Sequence, residues 1–162
     1  MENKKYILDA CCGGRWFWFN KSHPNALYID SRVCEKGHDK YRQNHSVEPD
    51  IVMDFRDLKF ANESFKLVVF DPPHMRTLGQ NSKFARYYGR LFNTWETDLA
   101  QGFSECWRVL ENHGVLIFKW NESEIKLTDI LNLFPQKPLF GHPTNSKNNT
   151  HWVCWMKIEE KL

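Results

Sequence analysis

The sequence predicts an α/β protein whose mostly parallel sheet is closed by a C-terminal antiparallel hairpin. Three observations predict it. Short apolar runs of strand length alternate with stretches of helical spacing, the pattern of strands joined by crossover helices. The runs are continuous, as in strands buried on both faces. The last part of the chain breaks the alternation, with two strand-like runs separated only by a polar loop rich in Gly, Pro, Asn and Ser.

The elements follow in order. Tyr6-Ile7-Leu8 ends in Asp9, ahead of a turn through Cys11, Cys12, Gly13 and Gly14. Trp16, Phe17, Trp18 and Phe19 come next and read as the start of the first helix, packed on the sheet. Leu27-Tyr28-Ile29 ends in Asp30, Ile51-Val52-Met53 in Asp54, and Leu67-Val68-Val69-Phe70 in Asp71. Leu99, Phe103, Cys106, Trp107 and Leu110 fall at helical spacing. Val115-Leu116-Ile117-Phe118 is a fifth strand leading into Lys119-Trp120. Asn121 and Glu124 resemble a capping pair ahead of Ile125, Leu127, Ile130, Leu131 and Phe134, and Pro135 stops that pattern. Pro138-Leu139-Phe140 and His151–Met156 form the hairpin.

The bulk properties set bounds. A chain of 162 residues is the size of one domain, spanning 1–162 without repeat or linker. A hydrophobic share of 41% supports a packed core. A net charge of +2 neither demands nor excludes nucleic acid. The five cysteines are odd in number, and the N-terminus leads directly into an apolar run too short for a targeting or membrane segment. The expectation is a reduced, cytoplasmic chain without membrane association. Cys34, His38, His142 and His151 lack paired metal-ligand spacing, so no metal is expected.

Four of the five parallel strands end in aspartate. Carboxyl ends of parallel strands share one edge of the sheet, and ligands bind in the crevice there. Asp9, Asp30, Asp54 and Asp71 are therefore expected to line one cleft, although any one of them could be a helix cap or turn former. Gly13-Gly14 allows close approach of backbone to a ligand. Asp30 lies about twenty residues past that turn region, where an acid can accept both hydroxyls of a ribose. The turn is not G-x-G-x-x-G.

The ordered set Ile7-Leu8-Asp9-x-Cys11-x-Gly13, Tyr28-Ile29-Asp30, Met53-Asp54-Phe55 and Asp71-Pro72-Pro73-His74 resembles the class I S-adenosylmethionine-dependent methyltransferases, most of all small stand-alone members from bacteria and their phages. The resemblance covers nearly the whole chain. It implies a three-layer Rossmann-like fold with a seven-stranded sheet, and S-adenosylmethionine as cofactor. Asp9 and the backbone of Ala10, Cys11, Cys12 and Gly13 would lie against the methionine part. Asp30 would hold the ribose, and Asp54 would accept the adenine amino group beside Phe55. Cys11 departs from the glycine often found there, and Cys11-Cys12 also suits small core residues.

In families with Asp-Pro-Pro-aromatic at the fourth strand end, the acid and the first proline carbonyl accept hydrogen bonds from an amine and aim its lone pair at the methyl group. Asp71, Pro72 and Pro73 match that pattern. His74 replaces the usual ring, and imidazole can stack on a planar acceptor or take a proton. The segment between His74 and Trp95 interleaves Arg76, Lys83, Arg86 and Arg90 with Phe84, Tyr87, Tyr88 and Phe92. Such a mixture suits a phosphate backbone with an unstacked base, and equally an amphipathic helix with a solvated basic face. Trp120 and Asn121 are expected on the acceptor side.

The resulting expectation is N-methylation of a nucleobase amine in DNA or RNA. The rival readings are a methyltransferase for a small molecule or protein, and a non-catalytic cofactor-binding module. A nicotinamide dehydrogenase lacks both the glycine fingerprint and a use for Asp-Pro-Pro.

Overall fold

A computed structural model describes residues 4–38, 40–79, 82–143 and 149–158. Seven strands form one sheet: β1 (Ile7–Asp9), β2 (Ala26–Asp30), β3 (Ile51–Val52), β4 (Phe65–Phe70), β5 (Leu110–Asn121), β6 (Phe140–Pro143) and β7 (Thr150–Met156). Their order is β3-β2-β1-β4-β5-β7-β6. Strands β1 to β5 run parallel, while β7 is antiparallel to both β5 and β6. This is the sheet that the alternating runs predict. The chain builds outward from β1 to β3, then returns to the other side of β1 for β4 and β5. The order therefore reverses between β1 and β4, where a crevice opens at the carboxyl ends.

Three helices are described: α1 (Lys83–Tyr88), α2 (Trp95–Val109) and α3 (Leu127–Leu131). Helix α2 buries Leu99, Phe103 and Cys106 of the expected stripe together with Val109, leaves Trp107 part-buried, and ends before Leu110, which is the first residue of β5. Its face meets a core in which Phe103 stacks on Phe134 with centroids 4.0 Å apart, and Trp155 meets Phe103 edge-on at 5.3 Å. Such ring pairs contribute about 0.5–1.5 kcal/mol each beyond their buried area.

Four expectations are corrected. Trp16 to Phe19 do not begin a helix. Arg15 takes a left-handed φ of 53°, and successive turns follow, with Arg15 N donating to Cys12 O and Trp18 N to Arg15 O. Four consecutive aromatics cannot share one helical face, and in the turns they fan out in different directions. Trp18 goes beneath the sheet edge against Tyr28, Phe17 meets Trp152, and Phe19 is wholly exposed. Second, the third strand is an exposed edge and not a doubly buried one, since Ile51 and Val52 are 39% and 60% exposed. Third, Asn121 and Glu124 do not cap α3. Asn121 closes a local turn onto Ser123 N, Glu124 reaches Arg76 and Thr77, and the Glu122 carboxylate receives Leu127 N at the true helix start. Fourth, β6 begins two residues later than Pro138, at Phe140; the loop 144–148 lies outside the described residues.

All five cysteines are free thiols. Among the described residues no helix is long and apolar enough to cross a membrane, and no group of His, Cys, Asp or Glu could hold a metal ion.

Helix α2 holds the site through one small residue. A Cβ on Gly102 would lie 2.3 Å from a ring carbon of Phe55 and 2.9 Å from one of Phe70. Alanine gains up to about 1 kcal/mol of helix propensity, but overpacking two rings costs about 1–3 kcal/mol. Gly102→Ala should lower the urea midpoint and displace Phe55; a raised midpoint would show that the rings yield freely.

Candidate functional site

The carboxyl edges of the parallel strands frame a cavity of about 900 Å³ at the order reversal. Ala10, Cys11, Cys12 and Gly13 line it from the loop after β1, and Asp30, Asp54 and Phe55 from β2 and β3. Asp71, Pro72, Pro73 and His74 form the wall beyond β4, and α1 contributes Phe84, Tyr87 and Tyr88. Of the residues expected to bind cofactor or acceptor amine (Asp9–Gly13, Asp30, Asp54, Phe55 and Asp71–His74), Asp9 alone is missing from the lining.

Asp9 is fully buried behind the lining. Its carboxylate receives the Trp18 indole N–H at 2.7 Å and Cys11 N at 3.3 Å. Burial raises its pKa to about 7; the Trp18 bond works against that shift, and the Asp71 and Asp30 charges add to it. Asp9 thus shapes the Ala10–Gly13 turn from below. Burial also pushes Cys11 well above its ordinary value and Cys12 to about 12, so both stay neutral thiols.

The other three acids each carry their own cation. Asp30 Oδ1 receives Arg32 N at 2.9 Å and Arg32 Nε at 3.0 Å, and Oδ2 receives Gly13 N at 3.0 Å and Arg32 Nη2 at 3.1 Å. A carboxylate has about four lone-pair sites, so Asp30 is saturated. Arg32 also donates through Nη1 to the Arg86 carbonyl on α1, at 3.4 Å. Asp54 is held by Arg56, which bridges to Asp98 on α2 at 3.0 Å. The Arg56 hydrogen bond keeps Asp54 below its ordinary pKa, against the effect of partial burial.

Asp71 sits between β4 and β5. Its Oδ2 receives Lys119 Nζ at 2.7 Å. His74 Nε2 lies 3.1 Å from Oδ1, an ion-pair distance without hydrogen-bond alignment, and Oδ1 is buried without a donor among the described residues. Burial acts to raise the Asp71 pKa, but His74 and the Lys119 charge outweigh it and hold the acid below its ordinary value. Asp71 is therefore an ionised acceptor whose Oδ1 meets only the His74 ring and no aligned donor among the described residues.

Strand alternation explains the residues on β5. Leu116, Phe118 and Trp120 point into the core, while Lys119 and Asn121 face the other way and reach the cavity wall. The expectation for Asn121 and Trp120 is thus split: Trp120 is fully buried, donating its indole N–H to Ile125 O. The four basic residues beyond His74 do not form one patch. Arg90 lines the cavity, Arg76 rests 5.8 Å from the Trp95 ring, and Lys83 lies 5.5 Å from the Tyr41 ring.

Arg32, Arg56, Lys119 and Trp18 are site residues that the strand-end reading passes over. Two of them had a signal, the repeated Asp-x-Arg spacing at 30–32 and 54–56.

Because its pKa is raised from 3.8, Asp9 binds more protons in the folded than the unfolded chain between about pH 4 and 7. It therefore removes stability as pH rises through that window, by at most about 4 kcal/mol. Asp54 and Asp71, with lowered pKa values, act with the opposite sign at lower pH. Asp9→Asn should flatten the decline between pH 5 and 7 in urea melts relative to the native chain; parallel pH profiles would contradict the buried-acid assignment.

No protein-family model and no curated protein matches the chain. Solved structures do. The PH0226 protein from Pyrococcus horikoshii aligns with a TM-score of 0.57 at 16% identity, over 97% of this chain and 84% of that one. A SAM-dependent methyltransferase from Leishmania major aligns at 0.53 and 13% identity, over 94% of this chain and 65% of that one. The antibiotic-resistance methyltransferase Kmr aligns at 0.53 and 12% identity, over 97% and 89%. At such identities the likeness is one of fold: this chain has the Rossmann-like architecture of these proteins, two of which are methyltransferases by name.

Proposed function

We propose that the chain is an S-adenosylmethionine-dependent methyltransferase that N-methylates an amine of a nucleobase in DNA or RNA. The observation that carries this reading is the Asp71-Pro72-Pro73-His74 turn in the wall of a cavity that also presents Asp30 and Asp54. A carboxylate kept ionised by His74 and Lys119, with Oδ1 meeting only the His74 ring, suits an amine N–H. The two prolines offer carbonyls and no competing donors. The methyl donor would supply an activated carbon; the protein's part is to position the acceptor nitrogen.

The cavity residues fit the nucleoside. Gly13 has a φ of +46°, and a Cβ there would meet nothing closer than 4.0 Å, so the turn leaves room for a ligand against its backbone. Asp30 would accept the ribose hydroxyls, which requires Arg32 to give up bonds to the same oxygens. Phe55 and Asp54 would border the adenine, and Ala10, Cys11, Cys12 and Gly13 the methionine part, with Asp9 acting through the turn. The fold shared with two named methyltransferases supports the reaction class. A cavity faced by Trp16, Phe84 and Tyr88 supports a planar acceptor.

Three measurements test the reading. Tritiated methyl donor offered with DNA, RNA, protein and small-molecule fractions should label nucleic acid; label confined to small molecules or protein would overturn the acceptor class. Asp71→Asn and Asp71→Ala should lower turnover about a hundredfold or more while leaving cofactor affinity within about twofold. Asp30→Ala should weaken cofactor binding by calorimetry about tenfold or more. Equal losses of turnover and affinity in the Asp71 variants would assign Asp71 to the cofactor instead.

A further inference from the structure

Helix α1 separates the cavity from a second concavity that methyl transfer does not use. This concavity measures about 830 Å³ and lies between residues 36–38 and 40–44 on one side and the outer side of α1 on the other. Lys36, Lys40, Lys83 and Arg86 line it together with Tyr41 and Asn44, and no carboxylate is among the described lining residues. Tyr41 is 71% exposed. Lys40 Nζ lies 4.9 Å and Lys83 Nζ 5.5 Å from its ring. Lys83 is also 5.9 Å from the Phe84 ring, which stacks on Tyr88 at 6.5 Å and 17°. Phe84 and Tyr88 line the main cavity. Rings and cations therefore alternate from the concavity, over α1, to the cavity mouth.

We infer that this track binds the strand flanking the target base, so that the acceptor is a single-stranded polynucleotide held on the far side of α1. Exposed rings offer stacking faces to unpaired bases, and interleaved cations meet their phosphates. An acidic protein surface would use the cations but leave Tyr41 without a role. This inference rests on the nucleobase reading above, because a small-molecule enzyme needs no such track.

Fluorescence anisotropy with a labelled 20-mer tests it without any methyl donor. The probes are single-stranded RNA, single-stranded DNA and the DNA duplex of one sequence. Single strands should bind more tightly than duplex, and the tighter of the two single strands identifies the polymer. The double variant Lys36→Ala/Lys40→Ala should weaken binding about tenfold and reduce the salt slope by about 1.4, the value for two lost phosphate contacts on a single strand. Tyr41→Ala should weaken binding several-fold with the salt slope unchanged. Calorimetry of S-adenosylmethionine on the same variants serves as the folding control. Absence of polynucleotide binding, tighter binding to duplex, or variants that bind like the native chain with the same slope would overturn the inference. Binding that depends on Lys36, Lys40 and Tyr41 while no base gains a methyl group would uphold the track and overturn the acceptor reading.

Discussion

Carboxylates gathered at the edge of a buried sheet must be compensated where they stand. Isolated ionised groups there carry a desolvation cost that neighbouring charges of the same sign only increase. The chain meets this constraint in two ways. Asp30, Asp54 and Asp71 each hold a cation, supplied two residues later in the first two cases and from β5 in the third. Asp9 has no cation among the described residues; it is buried with an indole donor, and burial raises its pKa to about 7. Removing one partner of the Asp30–Arg32 or Asp71–Lys119 pair would leave a largely buried carboxylate uncompensated, whereas the more exposed Asp54–Arg56 pair is screened by solvent and contributes less.

The compensating groups give each wall a definite tie. Arg32 joins the end of β2 to α1 through the Arg86 carbonyl. Arg56 joins the end of β3 to α2. Lys119 joins β5 to β4 and lies 5.6 Å from the ring of Phe17. A second, aromatic set holds α1 from outside: His45 meets Trp16 and Tyr87 edge-on at 5.5 and 4.9 Å, and Arg42 lies over both rings at 4.5 and 4.7 Å. The short α1 is thus seated by contacts from the loop after β2 and from the turn after β1. Irregular backbone replaces the expected helix after β1: Trp16, Phe17 and Trp18 serve three different neighbourhoods and Phe19 faces solvent.

The sheet was legible because continuous apolar runs and period-two alternation are local signals that burial enforces. The convergence of strand ends followed from topology, and Asp30, Asp54 and Asp71 do meet at one cavity. Asp9 was misjudged in position because a three-residue strand puts its last side chain on the face covered by Trp18, a contact nine residues away that no periodicity reveals. Trp120 was misplaced for a simpler reason, since counting alternate residues from Phe118 sends it into the core. The false cap at Asn121 shows the limit of short motifs: β5 runs six residues further than its apolar stretch starts, and the strand claims the residue first. Arg32 and Arg56 were readable in the Asp-x-Arg repeat, whereas the approach of Lys119 to Asp71 depends on the register between β4 and β5.

Three acids around one cavity are proposed to receive a methyl-bearing nucleoside. A crystal structure with S-adenosylhomocysteine, the demethylated product, tests this most directly. The ribose hydroxyls should lie on Asp30 with the Arg32 side chain turned away, the adenine beside Phe55 and Asp54, and the sulfur facing Asp71 and Pro72. A nucleoside bound elsewhere, or bound here with the Arg32–Asp30 pair unbroken and the ribose uncontacted, would contradict it.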